Sequence, residues 1–287
     1  MITFLLATVT DSNRRGISHL LDEFWEAASK AGLDLPQASP VSASAITQAR
    51  AKLPSTAMRE VLWNLVNRMP DGCAARQSPT WRGRRVLAID GQKLNTNRSD
   101  ELKTTFGVPN GCHCPQLLFS VLVDCCARMP VDFEIDSYRV SEREHMSRML
   151  DSVDDGAILV LDRGYPSHDV LQDLVERKID FAIRVPRSNT FLAVEEFLAS
   201  GRSEAWVTIA RPAQAQSGGR KVRVRLVRFG RDEDETICVT TLRRSSFDAA
   251  AIQELYHLRW QAEESFKATS SNVLSQGLFR SASANGV

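Results

Sequence analysis

The first third of the chain has apolar residues at the spacing of amphipathic helices. They recur three or four residues apart within 17–33, 42–53 and 55–69, and a serine stands at the start of the second and third of these segments. A serine before an apolar periodic segment is a common helix N-cap. We therefore predict that residues 15–70 are mostly helical.

From Trp81 onward, short apolar runs alternate with amphipathic segments. The runs, rich in aliphatic and aromatic residues, occupy 81–91, 114–126, 128–140, 156–167 and 180–186. The segments 141–153 and 167–179 have helical periodicity instead. Short apolar runs of this kind are typical of buried strands, so the alternation predicts an α/β core.

A second change of pattern begins near Ser188 and lasts to Phe247. Three further β-prone runs lie at 205–210, 221–230 and 235–242, and a stretch rich in Ser, Gly and Gln separates the first two. We predict antiparallel strands that form an inserted β subdomain. The amphipathic segment 248–268 is then expected to return the chain to the core as a helix.

Composition narrows the class of protein. The 287 residues are 25% charged and 43% hydrophobic with a formal net charge of +1, which fits a globular protein of one or two domains. Any nucleic-acid interface must therefore be a local basic patch. The apolar residues 1–9 are too short to cross a bilayer and lack preceding basic residues, so we predict neither a signal peptide nor a membrane helix.

The six cysteines fit reduced thiols and a cytoplasmic location, because a chain of this length is no small disulfide scaffold. Cys112, His113 and Cys114 are consecutive, which gives poor tetrahedral geometry. We favour ordinary packing of these three residues over a structural zinc site.

Two aspartates follow apolar strands. Asp90 comes after Val-Leu-Ala-Ile and Asp162 after Ile-Leu-Val-Leu, each where we expect the chain to turn out of the sheet. Ligands of open α/β sheets gather at the carboxyl ends of strands, so both carboxylates are candidate site residues. The alternative is that each aspartate simply begins a turn.

The late helix gathers polar side chains on one face. At about 100° per residue, Tyr256, Arg259 and Glu263 fall within roughly 60° of one another, with Lys267 on the same side. Such a face could hold a ligand. The alternative is an ion pair between Arg259 and Glu263, four residues apart, beside a half-buried Tyr256.

Three motifs together resemble the DDE transposases of the insertion-sequence 4 type. They are IDGQKL around Asp90, LDRGYPS around Asp162, and Y-x-x-R-W-x-x-E-E-x-F-K around Glu263, and the likeness covers roughly residues 40–287. The resemblance implies a ribonuclease H-like mixed sheet with flanking helices. It also implies a β insertion between the second aspartate and the glutamate, and the helical N-terminal region predicted from apolar periodicity precedes this core.

The resemblance implies that Asp90, Asp162 and Glu263 are both the catalytic and the metal-binding residues. Two divalent ions, Mg²⁺ or Mn²⁺, about 4 Å apart would generate the nucleophile and neutralise charge at phosphorus. Carboxylate and phosphate oxygens are the ligands that Mg²⁺ prefers. In relatives the 3′-OH freed by the first cut attacks the opposite strand, and the hairpin formed is reopened before joining to target DNA.

The same resemblance assigns Tyr256 and Arg259 to the DNA backbone near the cut, where a guanidinium suits a phosphate. The family signature ends on a lysine where this chain has Ser270. Lys267 is our candidate for a phosphate contact instead, and a solvated side chain is the alternative.

A basic strand is a separate candidate for DNA binding. Lys221, Arg223 and Arg225 alternate with apolar residues, so a strand would point all three to one face. The ordinary explanation is the charged outer face of an antiparallel sheet, and phosphate contact is the alternative.

The expected organisation has four parts: 1–80, a helical region that is a candidate for DNA binding; 81–187, the first part of the core; 188–247, the β insertion; and 248–287, the returning catalytic helix and a segment that ends earlier than in relatives. The predicted function is cutting and joining the ends of an insertion element. Its partners would be double-stranded DNA, as terminal inverted repeats and target, and a second copy of the chain. The alternative is a truncated, catalytically weak or inactive remnant that binds DNA or a full-length transposase.

Overall fold

The computed structural model describes residues 16–54, 56–68, 79–211, 220–230, 235–260, 263–264 and 283–284, without the side chains of 67 and 68. The chain divides into two compact units. The smaller takes its described residues from Met1–Met58, Asn95–Pro115 and Ala268–Val287, and the larger from Arg59–Leu94 and Gln116–Lys267.

The helices expected near the N-terminus are present as α1 (Ile17–Lys30), α2 (Ala43–Ala51) and α3 (Ala57–Arg68). The Ser42 hydroxyl caps α2 by accepting a hydrogen bond from the Ala45 amide at 3.1 Å. Leu21 and Trp25 of α1 form a small core with Ile46 of α2. Ser55, the serine expected at the start of α3, lies outside the described residues.

A short helix in the smaller unit, α4 (Asp100–Phe106), was not predicted. Its seven residues make only about two turns, too few to establish an apolar period. Ser99 caps it by accepting from the Leu102 amide at 3.2 Å, and Leu102 and Phe106 are buried.

The larger unit is built on one eight-stranded mixed sheet, which confirms the predicted α/β class. Its strands are β1 (Val86–Asn95), β2 (Gln116–Asp124), β3 (Met129–Ser137), β4 (Ile158–Leu161), β5 (Asp180–Arg184), β6 (Glu204–Ile209), β7 (Val222–Phe229) and β8 (Thr236–Thr240). Their order is β3-β2-β1-β4-β5-β8-β7-β6. The pairs β1–β4 and β4–β5 are parallel, whereas β2–β3 and the pairs from β5 to β6 are antiparallel.

The strands of the expected insertion are antiparallel, but they continue the core sheet. Ala182 of β5 pairs with Thr240 of β8, so the edge of β5 is covered by the later strands. This pairing satisfies backbone groups that an open edge would leave exposed. An unpredicted helix, α7 (Leu192–Ala199), precedes these strands.

Helices cover both faces of the sheet. On one face, Leu159 and Leu161 of β4 share a core with α5 (Glu142–Met149), α6 (His168–Glu176) and α7. On the other face, Ile158 and Val160 share a core with α8 (Ala249–Leu258). Successive strand residues point to opposite faces, so each strand position is assigned to one helical layer.

The late helix is shorter in the described residues than the predicted 248–268. Asp248 caps α8 by accepting from the Ala251 amide at 2.8 Å. Beyond α8, Trp260, Glu263 and Glu264 are also helical. Among the described residues, no helix combines the length and apolar character needed to cross a bilayer.

Candidate active site

Asp90 and Asp162 occupy matching positions on adjacent parallel strands. Val86 pairs with Ile158 and Ala88 with Val160, and the same offset relates Asp90 to Asp162. Asp90 follows Val86 by four residues, and Asp162 follows Ile158 by four. Side chains an even number of residues apart along a strand point to the same face, so both aspartates belong to the face that α8 covers. The two aspartates therefore lie side by side, Asp90 within β1 and Asp162 directly after the end of β4.

The local backbone holds each carboxylate by a hydrogen bond. Oδ1 of Asp90 accepts from the Gly91 amide at 3.0 Å, and Oδ1 of Asp162 accepts from the Gly164 amide at 2.7 Å. A Cβ atom at Gly164 would lie 3.1 Å from Oδ1 of Asp162, so glycine permits this close approach. One detail of the prediction is wrong: the chain does not leave the sheet at Asp90, since β1 continues to Asn95 while β4 ends at Leu161.

Glu263 reaches the same neighbourhood from the helical layer. Its carboxylate accepts a hydrogen bond from the Arg259 guanidinium, which is the ion pair considered from the sequence. Its negative charge also raises the pKa of Asp90. Glu263 is therefore paired with Arg259 and lies near Asp90, and the binding of a ligand by this helix face stays a prediction.

The pKa of Asp90 shows how the charges are balanced. Burial raises it most, and the charges of Asp162 and Glu263 raise it further, while the Gly91 amide and the Arg259 guanidinium lower it. The charges of Asp162 and Glu263 thus act on Asp90, with Arg259 as a counter-charge.

Tyr256 and Arg259 pack together beside this cluster. The Arg259 guanidinium lies 5.5 Å from the centre of the Tyr256 ring, and its side chain is 14% exposed. The Tyr256 hydroxyl is buried without a hydrogen bond of standard geometry to the described residues, and burial raises its pKa to about 12. The predicted DNA contacts of both residues stay predictions.

Sequence reasoning missed Glu142 and Tyr165. The pKa of Glu142, the first residue of α5, is raised by burial and then by the charges of Asp90 and Asp162. Tyr165 follows Asp162 by three residues and is 1% exposed. Tyr165 stands within the LDRGYPS motif around Asp162, but the motif assigns it no role. For Glu142, the capping pattern Ser141-x-x-Glu144 places it at a helix start but does not connect it to the aspartates.

The basic strand is only partly as predicted. Lys221 and Arg223 are exposed, but Arg225 is 1% exposed and does not form part of a charged outer face. Its guanidinium donates to Glu204 at 2.5 Å and to the carbonyl oxygens of Leu242 and Phe247. Arg225 is therefore a buried structural residue and is unavailable to DNA. Lys267 lies outside the described residues.

The donor set fits a hard divalent cation. It consists of carboxylate oxygens, and a cation would offset both the burial and the neighbouring negative charges that raise the pKa of Asp90. In the described part of the chain, no three acidic, His or Cys side chains are already spaced as a coordination shell. Glu263 would have to turn from Arg259 to join one.

Residues 81–287 match the family model described as the transposase DDE domain. Because the match covers most of the sequence, the chain belongs to the DDE transposase domain family. No curated protein sequence matches it.

Two solved structures are similar to the model. The piggyBac transposase synaptic complex with hairpin DNA has a TM-score of 0.50 and 11% identity, and the alignment covers 94% of this chain and 57% of that chain. At this identity the likeness shows the fold alone, and with the mixed sheet it supports the predicted ribonuclease H-like core. The NurA nuclease from Sulfolobus solfataricus, at a TM-score of 0.32 and 9% identity over 83% of this chain and 99% of that chain, is too distant to carry an argument.

Proposed function

We propose that the protein is a DNA transposase of the insertion-sequence 4 type that cuts and joins the ends of an element. The observation that carries this proposal is the matching position of Asp90 and Asp162 on parallel strands, with Glu263 acting on Asp90 from the helical layer. Membership of the DDE transposase domain family supports it.

Asp90, Asp162 and Glu263 would hold the divalent ions. Bound there, such ions lower the pKa of water and stabilise charge on the attacking and leaving oxygens of a phosphodiester. The chain's own contribution is to fix the donors: backbone amides orient both aspartates, and the sheet register sets their spacing. No side-chain general base is needed for this chemistry.

Arg259 is suited to exchange partners when DNA binds. In the structure its guanidinium neutralises Glu263 and acts on Asp90. If Glu263 turns toward the aspartates as a ligand, Arg259 is released at the same place, where a DNA phosphate can replace the carboxylate. Tyr256 packs against Arg259 and would hold it in position.

A cleft beside Asp162 offers a path for the DNA backbone. It has a volume of about 750 Å³ and is lined in part by Arg143, Arg163 and Arg211. Arg163 is exposed directly after Asp162, whereas Arg211 is paired with Asp169 at 2.9 Å. We propose that Arg163 contacts phosphate here and that Lys221, Arg223 and Lys267 contribute elsewhere. A second copy of the chain is also a proposed partner.

The test uses purified protein and duplex DNA that carries the inverted repeats flanking its reading frame. We expect nicking that requires Mg²⁺ or Mn²⁺, leaves a 3′-OH at the element end and stops in EDTA. Binding should weaken steeply with salt, because phosphate contacts release counterions. DNA binding without nicking in either metal would instead favour an inactive DNA-binding chain.

A further inference from the structure

Glu142 is held firmly at the edge of the sheet by its neighbours on α5. Ser141 and Glu144 form the capping box that starts the helix, so the cap does not need Glu142. Buried His145 places Nδ1 2.9 Å from Oγ of Ser120 on β2, which fixes α5 against the sheet. Arg143 donates to the Gly164 carbonyl at 2.9 Å and so connects α5 to the turn after Asp162.

The stem of Glu142 lies directly against the backbone of β1. A Cβ atom at Gly91 would stand 2.9 Å from Cγ and 3.0 Å from Cδ of Glu142. A side chain at this position would force Glu142 to shift, so glycine beside Asp90 permits the approach. Glu142 therefore packs against β1 next to Asp90, from the layer opposite α8.

Glu142 has no cation within ion-pair distance among the described residues, although the charge of Lys93 lowers its pKa. Burial raises that pKa most, and the charges of the nearby Asp90 and Asp162 raise it further. A half-buried carboxylate beside two others costs free energy unless a positive group offsets it. Glu263, by contrast, already has Arg259.

Tyr165 is a second observation that indicates a ligand site near Glu142. It is 1% exposed, and its hydroxyl makes no hydrogen bond of standard geometry with the described residues. Burial raises its pKa most, and the charges of Glu142, Asp90 and Asp162 and the approach of its hydroxyl to Glu142 raise the pKa further, so the hydroxyl lies near these carboxylates. Buried hydroxyls normally have partners, and this one interacts with Glu142 without standard hydrogen-bond geometry, so it is suited to a bound ion or its water.

We propose that Glu142 is a fourth carboxylate of the divalent-cation site, with Tyr165 as a positioning residue behind it. The inference rests on the proposed function and adds to its ligand set. Two ions with six oxygen ligands each need many donors, and Glu142 supplies one that is free of Arg259. Because no three such side chains in the described part of the chain are already spaced as a coordination shell, Glu142 would close on the cation together with the aspartates. The competing explanation is a structural acid that merely accompanies Tyr165.

The test measures Mn²⁺ binding to the full chain by titration calorimetry, together with the thermal midpoint without metal. Glu142→Gln should weaken Mn²⁺ binding about 10- to 100-fold, in the range seen when groups around a metal site are removed. Without metal the same variant should melt at a higher temperature than the wild type, because a desolvated charge is gone. Asp155→Asn, an exposed carboxylate before β4, is the matched charge control and should change neither value.

Each outcome decides whether Glu142 belongs to the cation site. Unchanged Mn²⁺ affinity in Glu142→Gln, with loss of affinity in Asp162→Asn, would overturn the role of Glu142 and leave the proposed function standing. Unchanged affinity in both variants, or no Mn²⁺ binding by the wild type, would overturn both. A lower melting midpoint without metal would show that Glu142 is structural. Tyr165→Phe should weaken Mn²⁺ binding less than Glu142→Gln, and an equal or larger loss would contradict its placement behind Glu142.

Discussion

Replacing Asp162 by asparagine is expected to reduce metal-dependent nicking by about 10³-fold while leaving duplex binding nearly unchanged. Asparagine keeps the shape of the side chain and an oxygen for the Gly164 amide, so the turn after β4 should persist. It removes the negative charge that would hold the cation. Metal ions contribute several kcal/mol to stabilising charge at phosphorus, and each 1.36 kcal/mol is a factor of ten in rate.

The measurement is a nicking time course on labelled element ends beside a binding titration on the same DNA. Asp155→Asn supplies the control, since it removes one exposed carboxylate at the opposite end of β4. Equal loss of nicking in both variants would mean that overall charge, not the site, is responsible. Undiminished nicking by Asp162→Asn would reject the carboxylate assignment.

Replacing Arg225 by methionine is expected to have the largest effect on stability, about 3–5 kcal/mol. The guanidinium is buried between β6, β7 and the segment before α8, where it bonds Glu204 and two backbone carbonyl oxygens. Methionine fills part of the volume but leaves these acceptors without their donor. Glu204 keeps only Arg244, whose side chain is 75% exposed.

Urea unfolding should show this loss as a lower midpoint with an unchanged slope. Arg223→Met is the matched control, because Arg223 lies two residues earlier on the same face and is exposed. Its guanidinium lies 5.5 Å from the centre of the Trp206 ring, a contact whose loss should cost less than about 1 kcal/mol. Equal destabilisation by the two variants would contradict the structural role of Arg225.

The sequence was sufficient wherever a regular pattern determined the structure. The apolar runs before Asp90 and Asp162 became β1 and β4, and the periodic segments became helices with the expected caps. Pairing of the later strands was not predictable, because alternation along β7 is the same whether it joins β8 of a core sheet or a separate subdomain. The alternation of charged and apolar residues along β7 also could not show that Arg225 is buried while Arg223 is exposed, because burial depends on the loop that covers the sheet.

The candidate site could be predicted only in part for a similar reason. The apolar runs before Asp90 and Asp162, together with the family motifs, identify these two aspartates and Glu263 as candidates. Glu142 has no such signal, because it lies in the first turn of an ordinary capped helix. Its proximity to Asp90 depends on how α5 docks over Gly91, which is a tertiary contact. The pairing of Glu263 with Arg259 was one of two alternatives, and only the structure shows that it leaves Glu263 beside the aspartates.

The most direct test of the central claim is the anomalous scattering of Mn²⁺ in crystals of the wild-type protein soaked with that ion. We expect a peak bonded to carboxylate oxygens of both Asp90 and Asp162, with Glu263 turned from Arg259 toward it when DNA is present. Saturating Mn²⁺ that gives no peak between the two aspartates, or a peak bonded to neither of them, would contradict the shared cation site.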